Sequence, residues 1–418
     1  MFEGVPLKEV PNVNPEREFY RRRYEAMIKA HNAKWINRIK NFAGVVEFTE
    51  EDMAYREAVR ENEERELFAS PEYQKWEKHL KAVIDELVFV RDNPEQAERE
   101  GKRPMLLIMG GGMRGVYATG QLLALKAAGL DKVFKIVGGS SAGSGPAAFL
   151  AAGGDGIERA ARLFTTDCAG TEFLDPTRIS KILDTTVIAN AMRSGEKSLD
   201  TAAIQQSDME VFALATNVDS MQVDIIDMKT CTTGGVLDPI AACVASSAIP
   251  LFNRIPIEVN GQKCLDGSVL PVPLFDLIEK YKPTCLLVLS NTGWRESEQD
   301  DTTVMNLLLK LVRVFKKEGS LASAYTNFAK SLELTLQMMT TSEMERDQIE
   351  LLADTGAAAD VLNNVEEEFA VKIAIAFPPS CGVTPISNNS NITKNAIYTA
   401  ARHFYQKLTG EEMTAVEF

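Results

Sequence analysis

Short apolar runs separated by turn residues dominate the chain after residue 103. Met105–Met109, Val133–Val137 and Cys285–Ser290 carry few polar side chains. Such runs are typical of strands in a sheet that helices cover on both faces. The same pattern predicts further strands at Phe212–Thr216, Asp224–Met228, Arg254–Val259, Gln262–Leu265 and Val371–Phe377. The sequence therefore predicts an α/β fold in which helices cover both faces of a sheet.

Helical periodicity marks the first hundred residues and the end of the chain. Residues 74–90 repeat apolar side chains at helical spacing, and residues 392–408 form a second amphipathic pattern. An earlier set recurs among basic residues: Tyr24, Ile28, Trp35, Ile39 and Phe42. For this earlier set two interpretations stay open, a helix docked on the main domain or a membrane-surface or partner-binding element.

Charge density divides the chain near residue 103. The first 103 residues hold 41 charged side chains and the remaining 315 hold 63, so the first quarter is about twice as charged. We expect a helical N-terminal region over 1–102, with a lid, regulatory or packing role. The main domain is expected over 103–408, with a helical insertion around 300–365 and a tail at 409–418.

Composition limits the classes of function. A net charge of −14 argues against a nucleic-acid partner and against wholesale binding to an anionic bilayer. No apolar stretch is long enough to cross a membrane, and the N-terminus lacks the apolar segment of a signal peptide, so a cytoplasmic protein is expected, with membrane contact limited to the periphery. The six cysteines lack C-x-x-C spacing, which favours reduced core thiols over zinc or disulfides.

A bare glycine run, MGGGMRG, follows the first predicted strand. Gly110, Gly112 and Gly115 have the G-x-G-x-x-G spacing of a dinucleotide fingerprint. The same bare backbone could instead present amide groups to the oxyanion of an acyl-transfer reaction. The run alone leaves both ligands open.

A second motif supplies a candidate nucleophile. Gly139-Ser140-Ser141-Ala142-Gly143 fits G-x-S-x-G between a predicted strand and an alanine-rich helix. In a nucleophile elbow the central serine occupies a strained strand-to-helix turn, and small neighbours avoid clashes there. Ser141 is therefore the candidate nucleophile.

A serine nucleophile needs a base. His31 and His79 lie in the charged N-terminal helices, and His403 lies in the final amphipathic pattern, whereas a triad histidine usually lies on a loop. A carboxylate is the better candidate: Asp266 follows a predicted hairpin, and Gly267 lets the chain turn directly after it. A triad through His403 stays open as the alternative.

Three motifs in this order resemble the patatin-like phospholipase family: Gly110 to Gly115, Gly139 to Gly143, and Asp266-Gly267-Ser268. Ala245–Phe252 and the closing strand IAIAFPPS resemble it too, so the resemblance spans roughly residues 103 to 408. One departure is visible, since the family usually has Gly or Ala where this chain has Ser268.

The resemblance implies a patatin-like three-layer α/β fold with a central, mostly parallel sheet. It also implies lipid acyl hydrolase activity on phospholipids or related esters. It implies Ser141 as nucleophile, Asp266 as base and the amides of Gly111 and Gly112 as the oxyanion hole. The supporting loop would comprise Gly110, Met113, Arg114 and Gly115, with Arg114 as a nearby cation or as an anchor of the loop. No cofactor or metal is required, and the protein would contact membrane surfaces transiently, with an activator or self-association left open.

Two rival functions are weighed. A non-catalytic signalling module could keep the same fold. A nucleotide-dependent oxidoreductase would want an acidic residue at a strand end about 20 residues after the glycines. Asp131 follows Gly115 by 16 residues and precedes the second strand, so it fits that role poorly.

Overall fold

The computed structural model describes residues 71–175, 183–249, 256–270, 272–291, 369–379, 383 and 390–418. The predicted insertion around 300–365 and the helical pattern from Tyr24 to Phe42 lie outside the described residues.

Helices and strands alternate through most of the described chain. The helices are α1 (Pro71–Asp92), α2 (Pro94–Arg99), α3 (Gly115–Ala127), α4 (Ser144–Ala152), α5 (Gly156–Thr165), α6 (Thr185–Arg193), α7 (Thr201–Gln206), α8 (Pro239–Ser246), α9 (Leu274–Tyr281) and α10 (Ser390–Thr409). The strands are β1 (Pro104–Ile108), β2 (Ile136–Ser140), β3 (Glu210–Asn217), β4 (Gln222–Asp227), β5 (Thr232–Thr233), β6 (Val236–Leu237), β7 (Ile257–Val259), β8 (Gln262–Asp266), β9 (Cys285–Leu289) and β10 (Lys372–Ala376). Single 3-10 turns at Gly112–Arg114 and Ser141–Gly143 lead into α3 and α4.

One mixed sheet organises the domain. Its order is β10-β9-β1-β2-β3-β8-β7, and β4 pairs with β3 outside this path. The strands from β10 to β3 are parallel, whereas β4, β7 and β8 are antiparallel to their neighbours. The predicted mostly parallel sheet is confirmed.

The partners of β3 change along its length. Its first residues pair with β2, up to Ser140 opposite Leu214. Its last residues pair with β8, from Asp266 opposite Ala215 onward, while β4 pairs along the other edge. Strands β2 and β8 therefore run toward each other on one edge of β3, and their final residues meet there.

Helices cover both faces, which gives three layers. In β1, Leu106 and Ile108 belong to the larger core with α1, α3, α4 and α10, while Met105 and Leu107 face a second core with α9. This alternation follows from the two-residue period of a strand. All five β1 residues are buried, which explains the continuous apolar run in the sequence.

The predicted position of β2 was wrong by three residues: Val133–Val137 was expected and Ile136–Ser140 is observed. Glycine is uncommon in strands, so the predicted strand ended before the Gly138-Gly139 pair. Close packing explains its presence in the strand. A Cβ on Gly138 would lie 2.0 Å from the Phe212 ring, and one on Gly139 would lie 2.3 Å from the carbonyl oxygen of Gly143.

The predicted amphipathic helices at both ends of the described chain are confirmed. Helix α1 packs against β9 and β10, and it buries Trp76, Leu80, Val83, Ile84 and Leu87. Helix α10 packs along α3. The final residues fold back, since Val416 is buried and the Phe418 ring contacts Tyr398. None of the helices in the described part combines the length and apolar character needed to span a bilayer.

Candidate active site

Ser141 occupies a strained turn between β2 and α4. Its φ is +50°, a left-handed value that costs a non-glycine residue energy. The neighbouring glycines make room for this turn: a Cβ on Gly143 would lie 2.2 Å from the carbonyl oxygen of Ile108. The predicted G-x-S-x-G segment thus forms a sharp strand-to-helix turn, as a nucleophile elbow requires.

Asp266 lies beside this serine. The Ser141 hydroxyl donates a hydrogen bond of 2.6 Å to Oδ2 of Asp266. Both residues are buried, with 5% and 3% of their surfaces exposed. A short hydrogen bond from a hydroxyl to a buried carboxylate is the contact that a nucleophile and its base make.

The electrostatic setting keeps the Asp266 carboxylate basic. Burial raises its pKa to about 6, and hydrogen bonds from Ser141 and Ser268 limit the rise. The Ser268 amide donates to Oδ1 at 2.7 Å, which leaves Oδ2 for the Ser141 hydroxyl. The carboxylate is therefore mostly ionised at neutral pH, yet has a higher proton affinity than a solvated aspartate.

The end of α8 fixes both sides of this pair. Ser246 Oγ accepts from the Ser141 amide at 2.8 Å and donates to the carbonyl of Leu214 at 2.5 Å. The backbone carbonyl of Ser246 accepts a hydrogen bond of 3.0 Å from the Gly267 amide. The side-chain cap from Asp238 and the proline that follows it fix where α8 begins.

The glycine loop lies directly against the serine. A Cβ on Gly110 would stand 2.8 Å from Ser141 Cβ and 2.1 Å from Ser268 Oγ, so only glycine fits. Gly111 and Gly112 have φ values of +154° and +59°, which favour glycine. In the part of the chain that the structure describes, the amides of these two residues donate to no protein group.

Arg114 is hydrogen-bonded to a distant part of the chain. It is 3% exposed, and its Nε donates to the carbonyl of Val383 at 3.3 Å. The Val383 amide donates in turn to the Tyr117 hydroxyl at 3.2 Å. The two roles expected for Arg114, a nearby cation and an anchor of the loop, stay predictions. Met113 is buried, and Gly115 packs so closely on Phe164 that a Cβ would stand 2.6 Å from the ring.

Asn291 is a clamp on the loop that sequence reasoning missed. Its Nδ2 donates to the Met109 carbonyl at 2.5 Å, and its Oδ1 accepts from the Ala118 amide at 3.0 Å. The side chain is 1% exposed and lies against Gly111. The signal in the sequence was weak, a short polar stretch just after β9.

An apolar pocket of about 50 Å³ has Ser141 in its lining. Ser141 and Ser247 are the hydroxyl-bearing members of its lining. Large side chains complete the lining, and they include Leu163, Phe164, Phe173, Leu183, Ile188 and Met192. Such a lining favours a hydrocarbon chain over a charged or sugar-bearing ligand.

The two alternative groups lie elsewhere in the fold. His403 belongs to α10, which packs on α3 and α5, while the Ser141 hydroxyl donates to Asp266. Asp131 precedes β2, so it lies at the opposite end of the parallel strands from the glycine loop. A dinucleotide site needs its acidic residue near the glycines, at the carboxyl ends of the strands, and Asp131 does not meet this requirement.

One family model covers the residues of this site. The family model described as patatin-like phospholipase matches residues 106–278. No curated protein matches the chain. Among solved structures, VipD from Legionella pneumophila is 12% identical with a TM-score of 0.34, and the match covers 57% of this chain and 67% of the VipD chain. The region that matches this family model of lipid acyl hydrolases contains the glycine loop, the serine turn and Asp266.

Proposed function

We propose that this protein is a serine lipid acyl hydrolase that cleaves carboxylic ester bonds of phospholipids or related lipids, in the manner of a phospholipase A or lysophospholipase. Ser141 is the nucleophile and Asp266 is the base. The observation that carries the proposal is the 2.6 Å hydrogen bond from the Ser141 hydroxyl to the buried Asp266 carboxylate. The family match over these residues supports the reaction class.

The first half of the reaction transfers the acyl group to the enzyme. Ser141 Oγ attacks the ester carbonyl carbon while its proton passes to Asp266 Oδ2. The tetrahedral oxyanion then collapses and expels the alcohol, which takes the proton from Asp266. In the second half a water molecule attacks the acyl-serine with Asp266 as its base, and the fatty acid leaves as the serine is regenerated.

The amides of Gly111 and Gly112 are proposed as the oxyanion hole. Within the described residues neither amide donates to a protein group, and both lie in the loop beside Ser141, which supports this role. Donors aimed in advance at the developing charge need no reorganisation during the reaction, and one such donor is worth roughly 10²–10³ in rate.

The apolar pocket is proposed to hold the acyl chain next to the ester carbonyl. Its lining matches a hydrocarbon and includes Ser141. Because a lipid substrate resides in a bilayer or micelle, the protein would contact a lipid surface transiently during each turnover.

Ester hydrolysis by matched variants tests the proposal. Wild type should hydrolyse p-nitrophenyl octanoate, and both Ser141→Ala and Asp266→Asn should lose at least about 1,000-fold in kcat/KM. Ser220→Ala, in the exposed turn between β3 and β4, is the control and should keep wild-type activity. Thermal melting must show that the inactive variants are folded. Full activity in a folded Ser141→Ala or Asp266→Asn protein would contradict the assigned roles.

A further inference from the structure

Two consecutive serines at the end of α8 hold the two peptide groups on either side of the Ser141 α-carbon. Ser246 Oγ accepts a hydrogen bond of 2.8 Å from the Ser141 amide, and Ser247 Oγ donates one of 3.1 Å to the Ser141 carbonyl. The first peptide group turns about φ and the second about ψ. Because one short segment holds both groups, it restrains both rotations, and with them the direction of the Cα–Cβ bond that carries the hydroxyl.

The Ser141 backbone needs such restraint. Its φ of +50° lies in the left-handed region, and a non-glycine residue keeps this conformation only where its surroundings impose it. The Ser141 carbonyl has further donors, since Ser144 reaches it with its amide and with its hydroxyl at 2.7 Å. Within the described residues, Ser246 Oγ is the one acceptor bonded to the Ser141 amide. Loss of the Ser246 hydroxyl should therefore matter more than loss of the Ser247 hydroxyl.

The same part of the chain holds the backbone of the proposed base. The carbonyls of Ser246 and Ala248 accept hydrogen bonds of 3.0 Å from the amides of Gly267 and Asp266. The Ser246 hydroxyl directs its single proton to the Leu214 carbonyl, which leaves its oxygen as an acceptor. Leu214 belongs to β3, and the next residue of β3 pairs with Asp266. The end of α8 thus joins the serine turn, β3 and the Asp-Gly turn through direct hydrogen bonds.

We infer that Ser246 is a positioning residue of the proposed reaction: by holding the backbone on both sides, it aims the Ser141 hydroxyl at the Asp266 carboxylate. The inference rests on the proposed function. Ser246 is fully buried and is not among the described residues that line the pocket, so it acts through Ser141 and does not contact the ester. Loss of this aim lowers the rate of acyl transfer and leaves binding of the ester unchanged.

Ser246→Ala removes the acceptor of the Ser141 amide and the donor to β3. We expect kcat for p-nitrophenyl octanoate to fall about 10- to 100-fold, with KM within about twofold of wild type. The rate constant for labelling of Ser141 by a fluorophosphonate probe should fall in parallel. Both rates are expressed per site labelled at completion, so that unfolded protein does not contribute. Ser246→Cys keeps the volume but offers only a weak sulfur acceptor, so it should lose rate too, and it replaces the alanine variant if that variant does not fold.

Ser207→Ala is the matched control. The Ser207 hydroxyl also accepts from a backbone amide, that of Met209 at 3.2 Å, but it precedes β3 at the end of the strand away from the site. This variant should keep the wild-type kcat and labelling rate. Ser247→Ala should lose less of both rates than Ser246→Ala, because Ser144 still holds the Ser141 carbonyl.

Three results would overturn the inference. A wild-type kcat and labelling rate in folded Ser246→Ala, even with a lower melting temperature, would show a purely structural role. A higher KM with an unchanged kcat would place Ser246 in substrate binding. A larger loss in Ser247→Ala than in Ser246→Ala would contradict the assignment to Ser246. If wild type neither turns over nor labels, or if Ser141→Ala keeps full activity, the proposed function itself fails.

Discussion

Ser141 and Asp266, 125 positions apart in the sequence, share a hydrogen bond because β2 and β8 end against consecutive residues of β3. Ser140 pairs with Leu214 and Asp266 pairs with Ala215, so the sheet register sets the distance between the proposed nucleophile and its proposed base. Placement on strand ends in a packed sheet gives the precision that proton transfer between two side chains requires.

The pH profile follows from the buried carboxylate. Asp266, with its pKa raised to about 6, must be ionised to accept the serine proton. We expect kcat/KM to rise with pH through a midpoint near 6 and to be roughly tenfold below its plateau at pH 5. The measurement is kcat/KM from pH 4.5 to 8.5. A midpoint near 7 in the wild type, together with loss of activity in a folded His403→Ala variant, would instead support the triad.

Gly110→Ala tests the contact between the glycine loop and the serine. The added methyl group would meet Ser268 Oγ at 2.1 Å and Ser141 Cβ at 2.8 Å, so the loop or the serine must move. We expect kcat/KM to fall at least about 100-fold, as misplacement of about 1 Å does in other sites. Gly170→Ala is the matched control because its Cβ would meet no atom closer than 3.7 Å. Wild-type activity in Gly110→Ala would contradict this packing.

Sequence patterns anticipated the parts of the site that are local in the chain. The G-x-S-x-G turn, the Asp-Gly turn and the glycine loop each depend on a few consecutive residues with distinctive backbone needs. The roles of Ser246 and Asn291 could not be anticipated, because each acts on residues at least 30 positions away. For a serine in a helix or an asparagine in a turn, the neighbouring residues do not indicate such a distant contact.

The fold likewise has strands that local residues predict and strands that depend on distant contacts. Buried parallel strands such as β1 and β9 were predictable, since both of their faces demand apolar residues. The prediction for strand β2 was misplaced because its glycines are required by close packing against Phe212 and Gly143, whereas strand propensity disfavours them. The β5–β6 hairpin was missed because two-residue strands, with Val236 70% exposed, leave no hydrophobic pattern.

Asn291→Asp tests the clamp on the proposed oxyanion loop. Aspartate keeps an acceptor for the Ala118 amide but sets a negative charge against the Met109 carbonyl, where Nδ2 now donates. We expect kcat to fall about 10- to 100-fold with little change in KM, because a displaced oxyanion hole weakens binding of the transition state more than of the ester. Steady-state kinetics of Asn291→Asp check this prediction, and Asn190→Asp, at an exposed position on α6, is the control. A wild-type kcat in Asn291→Asp would refute the role.

Ile188→Trp tests the acyl pocket. Ile188 lines the pocket from α6, so an indole at this position would fill space proposed for the hydrocarbon chain. We expect activity on p-nitrophenyl dodecanoate to fall at least about tenfold more than activity on the acetate, since apolar burial grows with chain length. The control is Asn190→Trp, on the exposed side of the same helix. Equal losses on both esters would exclude this pocket as the acyl site.

Covalent labelling of the serine is the most direct test of the central claim that Asp266 activates Ser141. A fluorophosphonate probe followed by peptide mass mapping should place one adduct on Ser141, and Ser141→Ala should acquire none. Folded Asp266→Asn should label at least about 100-fold more slowly, because it lacks the base. An adduct on another residue, or wild-type labelling of Ser141 in Asp266→Asn, would contradict the account.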